Sequence, residues 1–346
     1  MFDVKFIDRA REIEALRNWC SHQRYTPLYI YGPEGCGKTR LLKEFVKIFE
    51  DYFGEGSIAL YIDAMERHSV DQAIFSSKSV ELVRDVILAI TERFVGYVGR
   101  VLANSISTLL EKAIINKRLE DNYIFVAVDD VVRVIGLNQI EWYVKWLFET
   151  MNKLSEIYRP RAINFIVTTS EGVSLELISR HRHVHPVLLW NLDKDSFESL
   201  FYELKPPSNT KFEDIWYLFG GNPGKLIELS KDLNWNVEEM LKLYRDRISK
   251  IVIEIISAGL SNELELVIND ITILDKIHKD PELSKRLIKL AEILIDKNLL
   301  IYKKWTTITR GEIKSQLDIG IGEYYAWQVP MYRDIMKKIL TELSNA

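Results

Sequence analysis

Eight consecutive residues, Gly32-Pro33-Glu34-Gly35-Cys36-Gly37-Lys38-Thr39, limit what this chain can become more than any other feature. They fit the pattern GxxxxGK[ST] in full. An apolar run, Leu28-Tyr29-Ile30-Tyr31, precedes them, and Arg40–Phe53 follows with helical periodicity. Strand, glycine-rich turn and helix in that order are the context that turns a pattern match into a phosphate site. The glycines let backbone N–H groups converge, and the following helix aims the positive end of its dipole at the same point. Lys38 can then reach the β- and γ-phosphates, the Thr39 hydroxyl can ligate Mg²⁺, and Arg40 opens the helix beside them. The expectation is a bound nucleoside triphosphate with Mg²⁺.

The remaining 338 residues leave room for two or three domains with ample core. Runs free of Asp, Glu, Lys and Arg, such as Val101–Leu110, are too short to span a bilayer. The start, Met1-Phe2-Asp3-Val4-Lys5, lacks the basic-then-apolar order of a signal peptide. Two cysteines, Cys20 and Cys36, make no disulfide framework. These features predict a reduced, cytoplasmic protein with no membrane partner. The net charge is −4, yet residues 246–346 carry 15 Lys/Arg against 15 Asp/Glu, so the deficit lies upstream. Within 276–314 there are ten Lys/Arg and five Asp/Glu, a local basic cluster that permits nucleic-acid contact without demanding it.

Alternation of strand and helix patterns runs to about residue 191. A lead-in helix presents Ile13, Leu16, Trp19 and Cys20, with Asp8 placed to cap it. Strands are predicted at 28–31, 57–63, 123–128, 162–168 and 184–190, with helical stretches at 40–53, 79–118, 139–158 and 174–179. That order predicts an α/β core, a five-stranded parallel sheet with helices on both faces. From Asp193 the pattern is helical, broken at Pro206-Pro207 and at Gly220-Gly221-Asn222-Pro223-Gly224. Beyond about Asp246 come helices, a strand at 299–303, a second at 324–329 and a last helix, the order of a winged helix. The predicted division is a P-loop core over 1–191, a helical lid over 192–245 and a winged-helix domain over 246–346.

Asp129 closes the apolar strand Ile124-Phe125-Val126-Ala127-Val128, where a carboxylate can hold Mg²⁺ through water opposite Thr39. Asp130 stands where a water-positioning carboxylate is wanted. The hydroxyls of Thr168, Thr169 and Ser170 end the fourth strand, either sensing a γ-phosphate or serving as plain turn chemistry.

Together with Ile178-Ser179-Arg180-His181-Arg182 before the fifth strand and Gly221-Asn222-Pro223 in the lid, these motifs resemble the archaeal ATPase family. That family belongs to the signal-transduction (STAND) branch of the AAA+-like P-loop ATPases. The likeness covers roughly residues 3–235. It implies ATP hydrolysis, with Pro223 packed near the adenine and Arg180 or Arg182 acting as a finger on a neighbouring subunit's nucleotide in a homo-oligomer. Relatives commonly carry Asp-Glu where this chain has Asp129-Asp130, and some carry an arginine where Ser170 stands. Both departures point to a slowly hydrolysing switch rather than fast turnover.

The partner is open at this stage. Lys285, Arg286 and Lys289 on one helix, with Lys303, Lys304 and Arg310 on the ribbon, suit duplex DNA. A regulatory or defence switch whose winged helix binds protein fits the same residues, as does a nucleotide-binding module without turnover. His181, His183 and His185 alternate as a metal set would, but no fourth ligand lies in reach.

Overall fold

The computed structural model describes residues 4–64, 74–76, 122–130, 136–169, 182–282 and 284–344. Helix α1 (Ala10–Cys20) leads into β1 (Leu28–Tyr31), the phosphate loop and α2 (Lys38–Phe53). Strands β2 (Ile58–Asp63), β3 (Ile74–Ser76), β4 (Tyr123–Asp129), β5 (Ala162–Thr169) and β6 (His185–Leu188) complete the sheet, with α3 (Ile140–Tyr158) between β4 and β5. The sheet order is β3-β2-β4-β5-β1-β6. Five strands run parallel as expected, and β3 adds an antiparallel edge against β2. Three residues carry too little periodicity to announce that strand. The helical stretches expected at 79–118 and 174–179 lie outside the described residues.

Strand parity sorts the core into two layers. Ile124, Val126 and Val128 of β4 face α3, packing with Tyr143, Val144, Leu147 and Met151. Phe125 and Ala127 face α2, packing with Leu41, Leu42, Phe45, Val46 and Phe49. Burial on both faces is why β4 reads as an unbroken apolar run. The Phe45 and Phe49 rings meet Phe125 at centroid distances of 5.1 and 5.5 Å, adding about 0.5–1.5 kcal/mol each beyond area burial. With the same period of two, Asp129 at the end of β4 falls on the α2 side, the side of the phosphate loop.

The lid comprises α4 (Lys194–Glu203), α5 (Phe212–Phe219) and α6 (Pro223–Ile227), which continues into a π turn, Glu228–Asp232. Asp193 caps α4 through its Oδ1, which accepts from Ser196 N at 2.9 Å. Asp8 is not the cap of α1; Arg9 holds that position, and the Asp8 carboxylate accepts the Ser196 hydroxyl instead. That bond ties the lead-in to the lid and lowers the Asp8 pKa.

Helix α7 (Val237–Ser257) runs unbroken from the lid into the C-terminal region. There follow α8 (Ser261–Asn269), α9 (Lys285–Asp296), a two-stranded antiparallel ribbon of β7 (Leu300–Tyr302) and β8 (Tyr325–Trp327), and α10 (Pro330–Ser344). Lid and C-terminal region share one apolar core, in which Trp216 and Phe219 of α5 join Met331, Tyr332 and Ile335 of α10. The β7–β8 connection folds back on the main sheet: Leu188 N donates to Thr306 O, and Ile308 N donates to Leu188 O. No helix of the described residues is long and apolar enough to cross a membrane.

Candidate nucleotide site

The phosphate loop is set by its glycines and closed by its lysine. Gly35 and Gly37 take left-handed φ values of 83° and 102°, open to glycine at little cost. Cys36 N donates to Pro33 O at 3.2 Å, and Leu41 N to Gly37 O at 2.9 Å, so turn and helix join without a gap. Lys38 is 7% exposed, and its Nζ donates to the Gly32 and Pro33 carbonyls at 3.0 Å each. Among the described residues it has no carboxylate partner. A buried ammonium held by two carbonyls and, at 3.9 Å, by the Cys36 sulfur has no opposite charge beside it among the described residues, and an anionic ligand would supply one.

Thr39 Oγ1 donates to Asp129 Oδ2 at 2.5 Å, and Tyr61 OH donates to the same oxygen at 2.6 Å. Thr168 Oγ1 donates to Asp129 Oδ1 and accepts Asp130 N at 3.1 Å. Three adjacent strands thus place Tyr61, Asp129 and Thr168 on one face. Burial, then the Asp129 charge, pushes the Tyr61 phenol pKa far up, so it stays a donor. Thr168 is fully buried and engaged with Asp129, so its hydroxyl braces the acid pair rather than reaching toward a γ-phosphate. Asp130 has φ 50°, a left-handed turn that aspartate tolerates, and lines the cavity beside Lys38 and Thr39.

That cavity, 330 Å³, runs from the phosphate loop to an apolar end formed by Val4, Leu192, Leu200, Pro223 and Ile227. Two larger clefts, of 610 and 730 Å³, lie along α1 and the 306–314 segment, away from Lys38 and Asp129. Chemistry rather than volume makes the smaller one the candidate site.

Lid and loop meet backbone to backbone. Gly224 N donates to Gly35 O at 2.9 Å, and a Cβ on Gly224 would lie 2.7 Å from Gly35 Cα. Asn222 Nδ2 donates to Glu34 O at 2.9 Å and to Asn191 Oδ1 at 3.0 Å. Gln328, from the end of the ribbon, accepts Glu34 N on its Oε1 at 3.1 Å, and its carbonyl accepts from Asn191. Two buried amides, one from the lid and one from the ribbon, thus hold the two peptide groups of Glu34, and Asn191 at the end of β6 links them. Arg9 braces the loop from behind: its guanidinium donates to Cys36 O at 2.8 Å and Trp190 O at 2.7 Å, and it is 6% exposed.

The other predicted residues are placed as follows. Pro223 and Arg40 both line the cavity, but the Arg40 guanidinium holds Val4 O at 3.0 Å and Glu44 at 2.9 Å. Arg182 is exposed in the turn before β6, and Arg180 lies outside the described residues. His183 and His185 pack on separate rings, Phe148 and Trp19, and the described residues hold no cluster of three or more metal-ligating acids, histidines or cysteines. Tyr61, Arg9, Asn191 and Gln328 were not singled out from sequence; the parity shared by Tyr61 and Asp63 was the one available signal.

A phosphate loop between β1 and α2, facing an acid at the end of a neighbouring parallel strand, defines a P-loop nucleotide-binding protein. The chain belongs to the family described as "ATPase domain predominantly from Archaea", whose model matches residues 6–229. A search of curated proteins gives no match. Similar solved structures include the FIGL-1 AAA domain (12% identity, TM-score 0.37, 63% of each chain covered). The Aeropyrum pernix ORC2 protein in ADPNP–ADP complexes has 13% identity and TM-score 0.46, over 99% of this chain and 97% of that one. C. elegans PCH-2 has 16% identity and TM-score 0.29, over 59% and 48%. At these values they add nothing to the fold described above.

Proposed function

We propose that the chain is an ATP-dependent molecular switch with slow turnover, built from a core (1–191), a lid (192–245) and a winged-helix domain (246–346). The observation that carries this reading is the buried Lys38 ammonium, without a carboxylate partner among the described residues, beside the Thr39–Asp129 pair. Gly32 to Thr39 wrap the phosphates, and Pro223 with Leu192 and Ile227 covers the base. Mg²⁺, when bound, neutralises phosphate charge; Thr39 would hold it directly and Asp129 through water. Asp130 accepts a hydrogen bond from the attacking water and orients it. Its short side chain, set by a left-handed backbone, is consistent with slow turnover.

The lid and the C-terminal region share a core, so opening the site moves them together. Nucleotide state is felt where the lid and ribbon hold Glu34 and Gly35. Exposed Arg182, with Arg180, suits a role on a neighbouring copy's nucleotide in a homo-oligomer. Between DNA and protein as partner, the structure's ion pairs favour protein. Arg286 is tied to Glu263 and Lys285 to Glu282, while Lys303 is buried and donates to Ile313 O. The wing-like segment leans on the core sheet instead of standing free.

The test is steady-state ATP hydrolysis with and without duplex DNA, using Asp129→Ala as the blank. Slow, DNA-indifferent turnover above that blank supports the switch. Turnover that rises with DNA would reassign the winged helix to duplex, and none above the blank would leave a binding module.

A further inference from the structure

We infer that Tyr61 is a positioning residue for the metal-holding carboxylate, an assignment that rests on the Mg²⁺–nucleotide reading above. A carboxylate offers about four lone-pair sites. Three hydroxyls occupy three of them on Asp129: Thr39 and Tyr61 on Oδ2, and Thr168 on Oδ1. Among the described residues one site is left, on Oδ1, for a water of a bound cation. The two donors on Oδ2 come from different elements, Thr39 from α2 and Tyr61 from β2. If only Thr39 held that oxygen, the carboxylate could follow the threonine as its hydroxyl turned toward a metal. Tyr61 has its ring wedged in the core between sheet and α2 and is fully buried, so its hydroxyl cannot follow. Lys43 Nζ lies 4.6 Å over the ring centroid and closes the outer side. Tyr61 thereby keeps the Asp129 plane fixed while Thr39 changes partner. Second partners of metal-holding groups characteristically set metal affinity in this way.

The experiment measures the dissociation constant of a fluorescent adenine nucleotide across free Mg²⁺, from EDTA to saturation. It compares the full chain, Tyr61→Phe, Asp129→Asn and the double variant, with thermal melting to verify that each is folded. Tyr61→Phe keeps the ring and removes only the hydroxyl. The expected result is unchanged affinity in EDTA, with the Mg²⁺ midpoint raised about tenfold. In the Asp129→Asn background the same change should add nothing further, because the path through the carboxylate is gone. An unshifted midpoint, or the same shift with Asp129 replaced, overturns the assignment. Loss of affinity already in EDTA also overturns it, since that is a packing defect. If the unaltered chain binds nucleotide without any Mg²⁺ dependence, the metal reading itself fails, and that is seen before any substitution is made.

Discussion

Alanine at position 224 would place a methyl carbon 2.7 Å from Gly35 Cα and 3.0 Å from Gly35 O. Carbon atoms pack at about 3.5–4.0 Å, so the lid would have to retreat by roughly 1 Å. Overpacking of this kind against backbone costs about 1–3 kcal/mol. The retreat also breaks the Gly224 N to Gly35 O hydrogen bond, worth about 1 kcal/mol. Against these stands the helix preference of alanine over glycine, about 1 kcal/mol in favour of the variant. The last two cancel, leaving the closed lid destabilised by about 1–3 kcal/mol, roughly 5- to 150-fold. Stopped-flow release of a fluorescent adenine nucleotide should be faster by a factor in that range, and the rise in melting temperature on adding nucleotide should shrink. The reasoning fails if Gly224→Ala melts higher than the parent and releases nucleotide at the parent rate. In that case helix propensity would be the whole effect and the glycine pair would have no part in closure.

Replacing Lys38 with methionine removes a buried charge while keeping most of its stem. Nucleotide affinity should fall by at least about tenfold, while the melting temperature without nucleotide holds or rises; calorimetric titration showing parental affinity would contradict the site. Gln328→Leu strips Glu34 N of its acceptor, a loss of about 1–3 kcal/mol at the junction. Amide exchange should quicken at 300–327 and in the phosphate loop, and unchanged protection there would refute the coupling. The Arg286 hydrogen bond holds the Glu263 carboxyl below its ordinary value of 4.5. Its stabilisation is therefore full above about pH 4.5 and is lost as pH falls through the folded-state value. Arg286→Ala should lose less stability than the parent between neutral pH and that range, read from denaturant melts at each pH.

Much of the site could be read locally. The phosphate loop is contiguous, Asp129 is marked by the apolar run it ends, and Pro223 sits in a short glycine-rich break. Period-two parity even fixes the face on which Asp129 lies. What escaped reading depends on distant partners. Gln328 lies 294 residues from Glu34, and Arg9 lies 181 from Trp190, with no periodicity linking them. Thr168 read equally well as a phosphate sensor or a turn hydroxyl; its bond to Asp129 is a matter of strand register, which composition does not reveal. The strands expected at 299–303 and 324–329 do pair as a ribbon, but the docking of residues 306–308 on Leu188 is a tertiary contact with no local signature.

Under the proposed switch, these contacts locate the joint that would move. A lid and C-terminal region with separate cores would let either swing alone. Here α7 is continuous through both, and α5 packs on α10 so closely that a Cβ on Gly220 would lie 2.9 Å from the Pro330 ring. Bending between them would break a common apolar core. The seam against the strands is mixed: Val4, Tyr31 and Leu188 join that same apolar core, while Asn191, Asn222, Gln328 and the Gly35–Gly224 pair supply hydrogen bonds beside the phosphate loop. Hydrogen bonds of that kind can be exchanged for water at a net cost of about 1 kcal/mol each. The seam also touches both peptide groups of Glu34 and the carbonyl of Gly35, inside the loop that wraps phosphate. Under the proposed switch, a ligand that shifts this loop would act first on these hydrogen bonds, and the lid with the C-terminal region is what it would move.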